Sequence, residues 1–165
     1  MDILDLIKSR RSVREFTSES VDNEQIEKIL EAGRWAPSGL NNQPWRFKII
    51  TDNETKTKLA KQTHYGEIIK NAPVSIAVFL NLDESYDRTK DTMAIGACIQ
   101  NILLEVHSLG LGAVWLGEIL KKKDTVNEIF NVSKSHELMA IISLGHPKPE
   151  DRKSGRKKLK DLILH

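Results

Sequence analysis

The chain has 165 residues, 29% charged and 39% hydrophobic, a balance that suits one globular domain with its own core and excludes a disordered polymer. Its longest apolar runs, such as residues 138–144 (LMAIISL), are far too short to span a bilayer. Its N-terminus lacks the pattern of a secretory signal, so a cytoplasmic protein is expected. A single cysteine, Cys98, excludes an internal disulfide, and the net charge of +2 conceals an asymmetry: residues 148–160 carry seven Lys/Arg against two acids, whereas the rest carries 18 bases and 21 acids.

Residues 2–9 read as a first helix, with Ile3, Leu6 and Ile7 on one face. Asp22 followed by Gln25 forms a capping box for a second helix, in which Ile26, Ile29, Leu30 and Gly33 recur at helical spacing; it ends before Pro37. The stretch WAPSGLNNQPW, residues 35–45, sets two prolines, a glycine and three side-chain amides between tryptophans, which forbids a helix or a central strand. Residues 45–51 read as a strand, 53–63 as a polar helix and 73–81 as a buried strand. From Thr89 to Leu109 runs a helix that is apolar most of the way round, placing it in the core or at a subunit interface, with Gly110 as its C-terminal cap. A short strand at 113–116, a helix near 122–130 and a strand at 138–144 precede a tail of weak periodicity. Roughly four strands among irregularly spaced helices give an α+β or mixed three-layer fold. It forms one domain, residues 1–165, with residues 148–165 as a basic tail.

Familiar catalytic motifs are absent. There is no GxGxxG, no GxxxxGK[ST] and no HExxH, and the five histidines never pair at metal-ligand spacing. His107 reads as a packed residue and Cys98 as a small hydrophobe within its helix. Ser12 and Ser38 lack the setting of a hydrolase nucleophile. With no acid, base or nucleophile constellation, the chemistry falls to a bound cofactor.

Three stretches suit such a cofactor. In RRSVR, residues 10–14, alternate residues Arg10, Ser12 and Arg14 point the same way if the segment is extended, and guanidinium forks match a terminal phosphate. A basic helix end complementing its own dipole is the equal alternative. In the amide loop, Asn41, Asn42 and Gln43 each offer a donor and an acceptor, fit for a pyrimidine-type edge or for capping neighbouring turns, while Gly39 lets the backbone approach a flat ring. In WLGEI, residues 115–119, Gly117 follows a buried strand and suits either a planar ligand or a plain strand-ending turn.

Taken together, RRSVREF, the PSGLNNQPW loop, the WLGEI turn and the basic tail resemble the nitroreductase family of FMN-dependent oxidoreductases over nearly the whole length. The resemblance implies an α+β fold with a mixed, mainly antiparallel sheet of about four strands flanked by helices, in an interlocked homodimer with FMN at the subunit interface. It implies that Arg10, Arg11, Ser12 and Arg14 hold the phosphate and ribityl end, and that Arg156 returns to it from the tail, with Lys153 a weaker candidate. Pro37, Ser38, Gly39, Leu40, Asn41 and Gln43 would reach the flavin from the partner subunit, and Leu116, Gly117 and Glu118 would lie beside the isoalloxazine. NADH or NADPH would deliver a hydride to flavin N5, with no catalytic side chain. A small-molecule acceptor, nitroaromatic, quinone or similar, would then collect the electrons by a ping-pong route, with neither nucleic acid nor membrane as partner. Two departures stand out. The connection NLDESYDRTKD is too short for the helical excursion that covers the pocket in larger members, and Gly117 precedes Glu118 where some members have the reverse order. Alternatives are a dehalogenating or flavin-cleaving relative, or a non-catalytic binder of flavin or of an anionic polymer.

Overall fold

A computed structural model describes residues 2–150 and 153–164. Among these residues six α-helices run over Ile3–Ser9 (α1), Asn23–Arg34 (α2), Asn53–Ala60 (α3), Gly66–Asn71 (α4), Arg88–Ser108 (α5) and Lys123–Phe130 (α6). Four strands run over Trp45–Ile50 (β1), Val74–Asn81 (β2), Gly112–Leu116 (β3) and His136–Gly145 (β4). All three strand pairs are antiparallel, in the order β1-β2-β4-β3. The expected four-stranded, mainly antiparallel sheet with flanking helices is therefore present.

Side chains of β2 alternate between two apolar layers, as a two-sided buried strand requires. Ile76, Val78 and Leu80 pack with α2 and α5, while Ala77 and Phe79 pack with α3, α4 and α6. In β4 the register slips opposite Val78 and Phe79, so Met139 and Ala140 both face the α5 layer while Leu138 and Ile141 face the other. Within the buried strands, the hydroxyls of Ser75 and Ser143 satisfy each other at 2.9 Å.

Local signals hold where they are strong. Asp22 and Gln25 form the reciprocal capping box that opens α2. Gly110 has φ +75, and the bonds Gly110 N–H to His107 O and Leu111 N–H to Val106 O close the end of α5 around it. Differences lie in short pieces. The polar helix stops at Ala60 rather than residue 63, because Lys61–Tyr65 form turns in which Thr63 and His64 bond to Glu118. The six-residue helix α4, absent from the sequence reading, buries Ile69 ahead of Pro73. In the tail, Leu159–Leu162 form a single exposed 3₁₀ turn. Among the described residues no helix is long and apolar enough to cross a membrane.

Candidate functional site: an arginine cleft beside a glycine turn

The segment after α1 does not float. Val13 N–H donates to Ala113 O at 2.9 Å and Ser12 pairs with Ala113 as a parallel bridge, so RRSVR lies along the outer edge of β3. Val13 is buried against Gly112, where even a Cβ would stand 2.5 Å from a Val13 methyl carbon. With Val13 turned inward, Ser12 and Arg14 face out, as alternation predicts. Arg11 breaks the alternation. Its guanidinium folds back onto the carbonyls of Lys8 (2.6 Å) and Arg10 (2.9 Å) and so joins the same cleft.

That cleft, 660 Å³, is lined by Arg10, Arg11, Ser12 and Arg14, and from the tail by Lys153, Ser154 and Arg156, with Glu15 and Glu150 at its border. Five cations thus converge against two carboxylates. Arg156 is oriented by donating to Ser154 Oγ at 2.6 Å and Gly155 O at 2.7 Å. Partial burial, then the neighbouring charges of Arg156 and Arg11, hold Arg10 below the ordinary arginine pKa. Like charges crowded this way suit an oxyanion, which relieves the repulsion and takes several charge-assisted hydrogen bonds. Glu150 and Ser154 carried no signal in the sequence pattern. They are visible only once the tail is seen returning to the N-terminal arm.

Along β3 from Ala113, Leu116 stands three residues on, roughly 10 Å at the rise of a strand. Leu116 is buried, and next to it Gly117 has nothing within 4 Å of where a Cβ would be, so its main chain faces open space. The Glu118 carboxylate is committed elsewhere. It accepts from Thr63 Oγ1 (2.7 Å) and His64 N–H (3.1 Å) and pairs with Lys121 at 3.3 Å. Those contacts, Thr63 first, hold it below the usual carboxylate pKa. Glu118 therefore fastens the 61–65 loop to this turn, a role that its place after Gly117 did not announce.

The amide loop does not join the arginine cleft within one chain. Leu40, Asn41 and Gln43 all have left-handed backbone, with φ of 55, 53 and 47. For residues other than glycine this costs on the order of 1 kcal/mol each. Ser38 Oγ accepts the Gln43 N–H at 3.0 Å, Gln43 Nε2 donates to Asn41 O at 3.2 Å, and Leu40 is 85% exposed. Of the two readings of the amides, Asn42 follows the turn-capping one: its Nδ2 donates to Asp91 Oδ1 (2.8 Å) and Glu84 O (3.0 Å). At Gly39 the Tyr86 hydroxyl fills the space that a Cβ would need, so a side chain is excluded there. Pro37 is exposed at the start of the loop. Asn42 and Gln43 border a separate groove of 1180 Å³ that includes Trp35, Trp45 and Arg46.

Cys98 and His107 both lie on α5. Cys98 is fully buried and its thiol is pushed up to about 12 by desolvation, so it is packing material. His107 lies 2.8 Å from Ser9 Oγ, and burial, then Arg10 and Arg11, lower its pKa. Among the described residues no group of three His, Cys, Asp or Glu could hold a metal ion.

The nitroreductase family model matches residues 7–65 and 57–146, which takes in the arginine segment, the amide loop and the glycine turn. The chain belongs to the nitroreductase family. A family protein of Methanothermobacter thermautotrophicus, provisionally named an NADH dehydrogenase/NAD(P)H nitroreductase, is 36% identical over 151 residues, which are 89% of this chain and 78% of that one. An NADPH-flavin oxidoreductase of Vibrio harveyi is 28% identical over 157 residues, covering 87% of this chain and 65% of that one. Among solved structures, a provisionally named nitroreductase of Desulfovibrio desulfuricans in complex with FMN superposes with a TM-score of 0.96 at 44% identity, covering all of this chain and 96% of the other.

Proposed function

We propose that this nitroreductase-family chain binds FMN, with its phosphate in the arginine cleft and its ring toward Gly117, and acts as an NAD(P)H-dependent flavin oxidoreductase. The observation that carries this reading is the cleft itself: five convergent cations on the edge of β3, one strand's length from a glycine with open space before it. FMN bound there supplies the hydride acceptor that links the nicotinamide donor to the oxidant. The chain's own residues bind and orient. Arg10, Arg11, Arg14, Lys153 and Arg156 neutralise the phosphate, Ser12 offers its hydroxyl, and the main chain at Gly117 and Glu118 lies against the ring. No side chain need move a proton at a carbon centre, which suits a site without an acid–base pair. Nitroaromatics, quinones or similar acceptors are the proposed oxidants. Because donor and acceptor would use one pocket in turn, the kinetics are proposed to be ping-pong.

The working unit is proposed to be a homodimer. Ile3, Leu4 and Ile7 on α1, Met93 on α5, Trp115 on β3 and Leu159, Leu162, Ile163 and Leu164 in the tail are all exposed in the single chain. Large apolar side chains left exposed on α1, α5, β3 and the tail suit an interface with another chain. A second copy would cover it. It would also explain why the amide loop stands apart from the arginine cleft of its own chain: Pro37, Ser38, Gly39, Leu40, Asn41 and Gln43 would meet the flavin held by the partner.

Titration with FMN and with riboflavin, followed by flavin fluorescence, tests the reading. The cleft predicts FMN binding at least about tenfold tighter than riboflavin, since charge-assisted bonds to the phosphate are worth about 1.5–3 kcal/mol each. Equal affinity for the two would remove the arginines from the site. Sedimentation of the FMN-loaded protein should give a dimer, and a monomer holding FMN normally would end the shared-site proposal.

A further inference from the structure

Asp91 lies in the first turn of α5 and is 0% exposed. Its two oxygens serve two different surface segments. Oδ1 accepts from Asn42 Nδ2 at 2.8 Å. Oδ2 accepts from Ser85 Oγ (2.7 Å), Tyr86 N–H (3.1 Å) and Asp87 N–H (3.3 Å). Burial works against the charge, but the bonds from Ser85, Asn42, Asp87 and Tyr86 outweigh it and hold the carboxyl below its usual pKa.

An ionised carboxylate taken out of water is costly unless its lone pairs are filled, and here what fills them is not core. The donors belong to the connection between β2 and α5 and to the amide loop, both of which carry exposed side chains. Asn42 also donates to Glu84 O, while its own Oδ1 is buried without a hydrogen-bond partner. The amide gives up one bond in order to serve the other two contacts. The neighbours of Asn42 at 40, 41 and 43 are the three left-handed residues of the loop, and the Tyr86 hydroxyl fills the space at Gly39. Strained backbone of this kind persists only where its surroundings over-determine it. Asp91, itself buried, reaches the loop through Asn42 and the connection through Ser85, Tyr86 and Asp87.

We propose that Asp91, acting through Asn42, is the positioning residue of the flavin pocket, joining the amide loop and the 82–87 connection into one rigid wall. This rests on the reading that the loop faces a flavin. The wall fixes the ring end of the cofactor, whereas the arginine cleft fixes the phosphate end. The two contributions are separable by experiment.

The decisive variants are Asp91→Asn and Asn42→Ala. In the first, the new NH₂ must face either the Asn42 amide or the Ser85–Asp87 donors. The second frees the loop while leaving Asp91 its three donors at the start of α5, so it keeps the helix intact if the first fails to fold. Both should lower FMN affinity by about tenfold or more and alter the visible circular dichroism of bound flavin, with the FMN-over-riboflavin preference unchanged. Lower melting temperatures with unaltered flavin dichroism and affinity would overturn the proposal and leave Asp91 as a helix-start support. A wild-type protein that retains no FMN would instead overturn the flavin reading, and this proposal with it.

Discussion

Gly112→Ala is a small change with a calculable consequence. The added Cβ would sit 2.5, 2.7 and 2.8 Å from the three side-chain carbons of Val13, against ordinary contact distances near 3.5–4.0 Å. Valine is stiff at χ1 and its backbone is tied to Ala113, so it cannot swing clear. Overpacking of this sort costs about 1–3 kcal/mol. Relief comes most easily by lifting residues 12–14 from β3, which moves Ser12 and Arg14 in the cleft. Loss of even one charge-assisted bond to phosphate would lower FMN affinity about tenfold. Val13→Ala alone removes two buried methyl groups and should cost about 1.5 kcal/mol. Combined with Gly112→Ala, it makes room for the new methyl, so the double variant should recover toward wild type, with a coupling of at least about 1 kcal/mol. Urea unfolding and FMN titration of the four proteins measure both effects. Strict additivity, or a Gly112→Ala protein indistinguishable from wild type, would refute the argument that this glycine seats the arginine segment.

Other perturbations are simpler. Arg156→Ala should weaken FMN by about tenfold while leaving riboflavin unaffected; unchanged FMN affinity would take the tail out of the site. Glu118 has a lowered carboxyl pKa, so its hold on Thr63 and His64 is complete above the unfolded carboxylate value near ~4.3 and is lost as pH falls through the lower folded value. The His64 amide resonance should shift only in that acidic window, and Glu118→Gln should abolish the shift; a midpoint above the ordinary carboxylate value would contradict the contacts. The Cys98 thiol, pushed up to about 12 and buried, should react with a thiol reagent only as fast as the protein unfolds. Rapid labelling of the native protein would mean that the α2–α5 layer opens readily.

What the sequence made legible was whatever periodicity and local chemistry encode. The capping box at Asp22, the apolar register of α5, the alternation that turns Val13 inward and the glycine at the end of α5 all follow from neighbours along the chain. Helix α4 escaped because six residues are too few for a period to show, and its only marks are a pair of isoleucines and the following Pro73. The family motifs named the arginine segment, the amide loop and the glycine turn. They did not divide the labour among the amides. Asn42 lies between Asn41 and Gln43 in composition but not in direction, because its partner Asp91 is 49 residues away. The Glu118 contact with Thr63 and His64 crosses a similar gap. Side-chain bonds between distant segments leave no periodic trace, so the structure was needed to separate the residues that face the cleft from those that hold the walls.

The most direct test of the central claim is the visible absorption spectrum of the protein after loading with FMN and removal of the excess, followed without oxygen as NADPH or NADH is added. Flavin bands should travel with the protein and bleach promptly on addition of the nicotinamide. Bound flavin that stays oxidised with both donors would contradict the proposed reductase activity, and a protein that keeps no flavin would contradict the cofactor site itself.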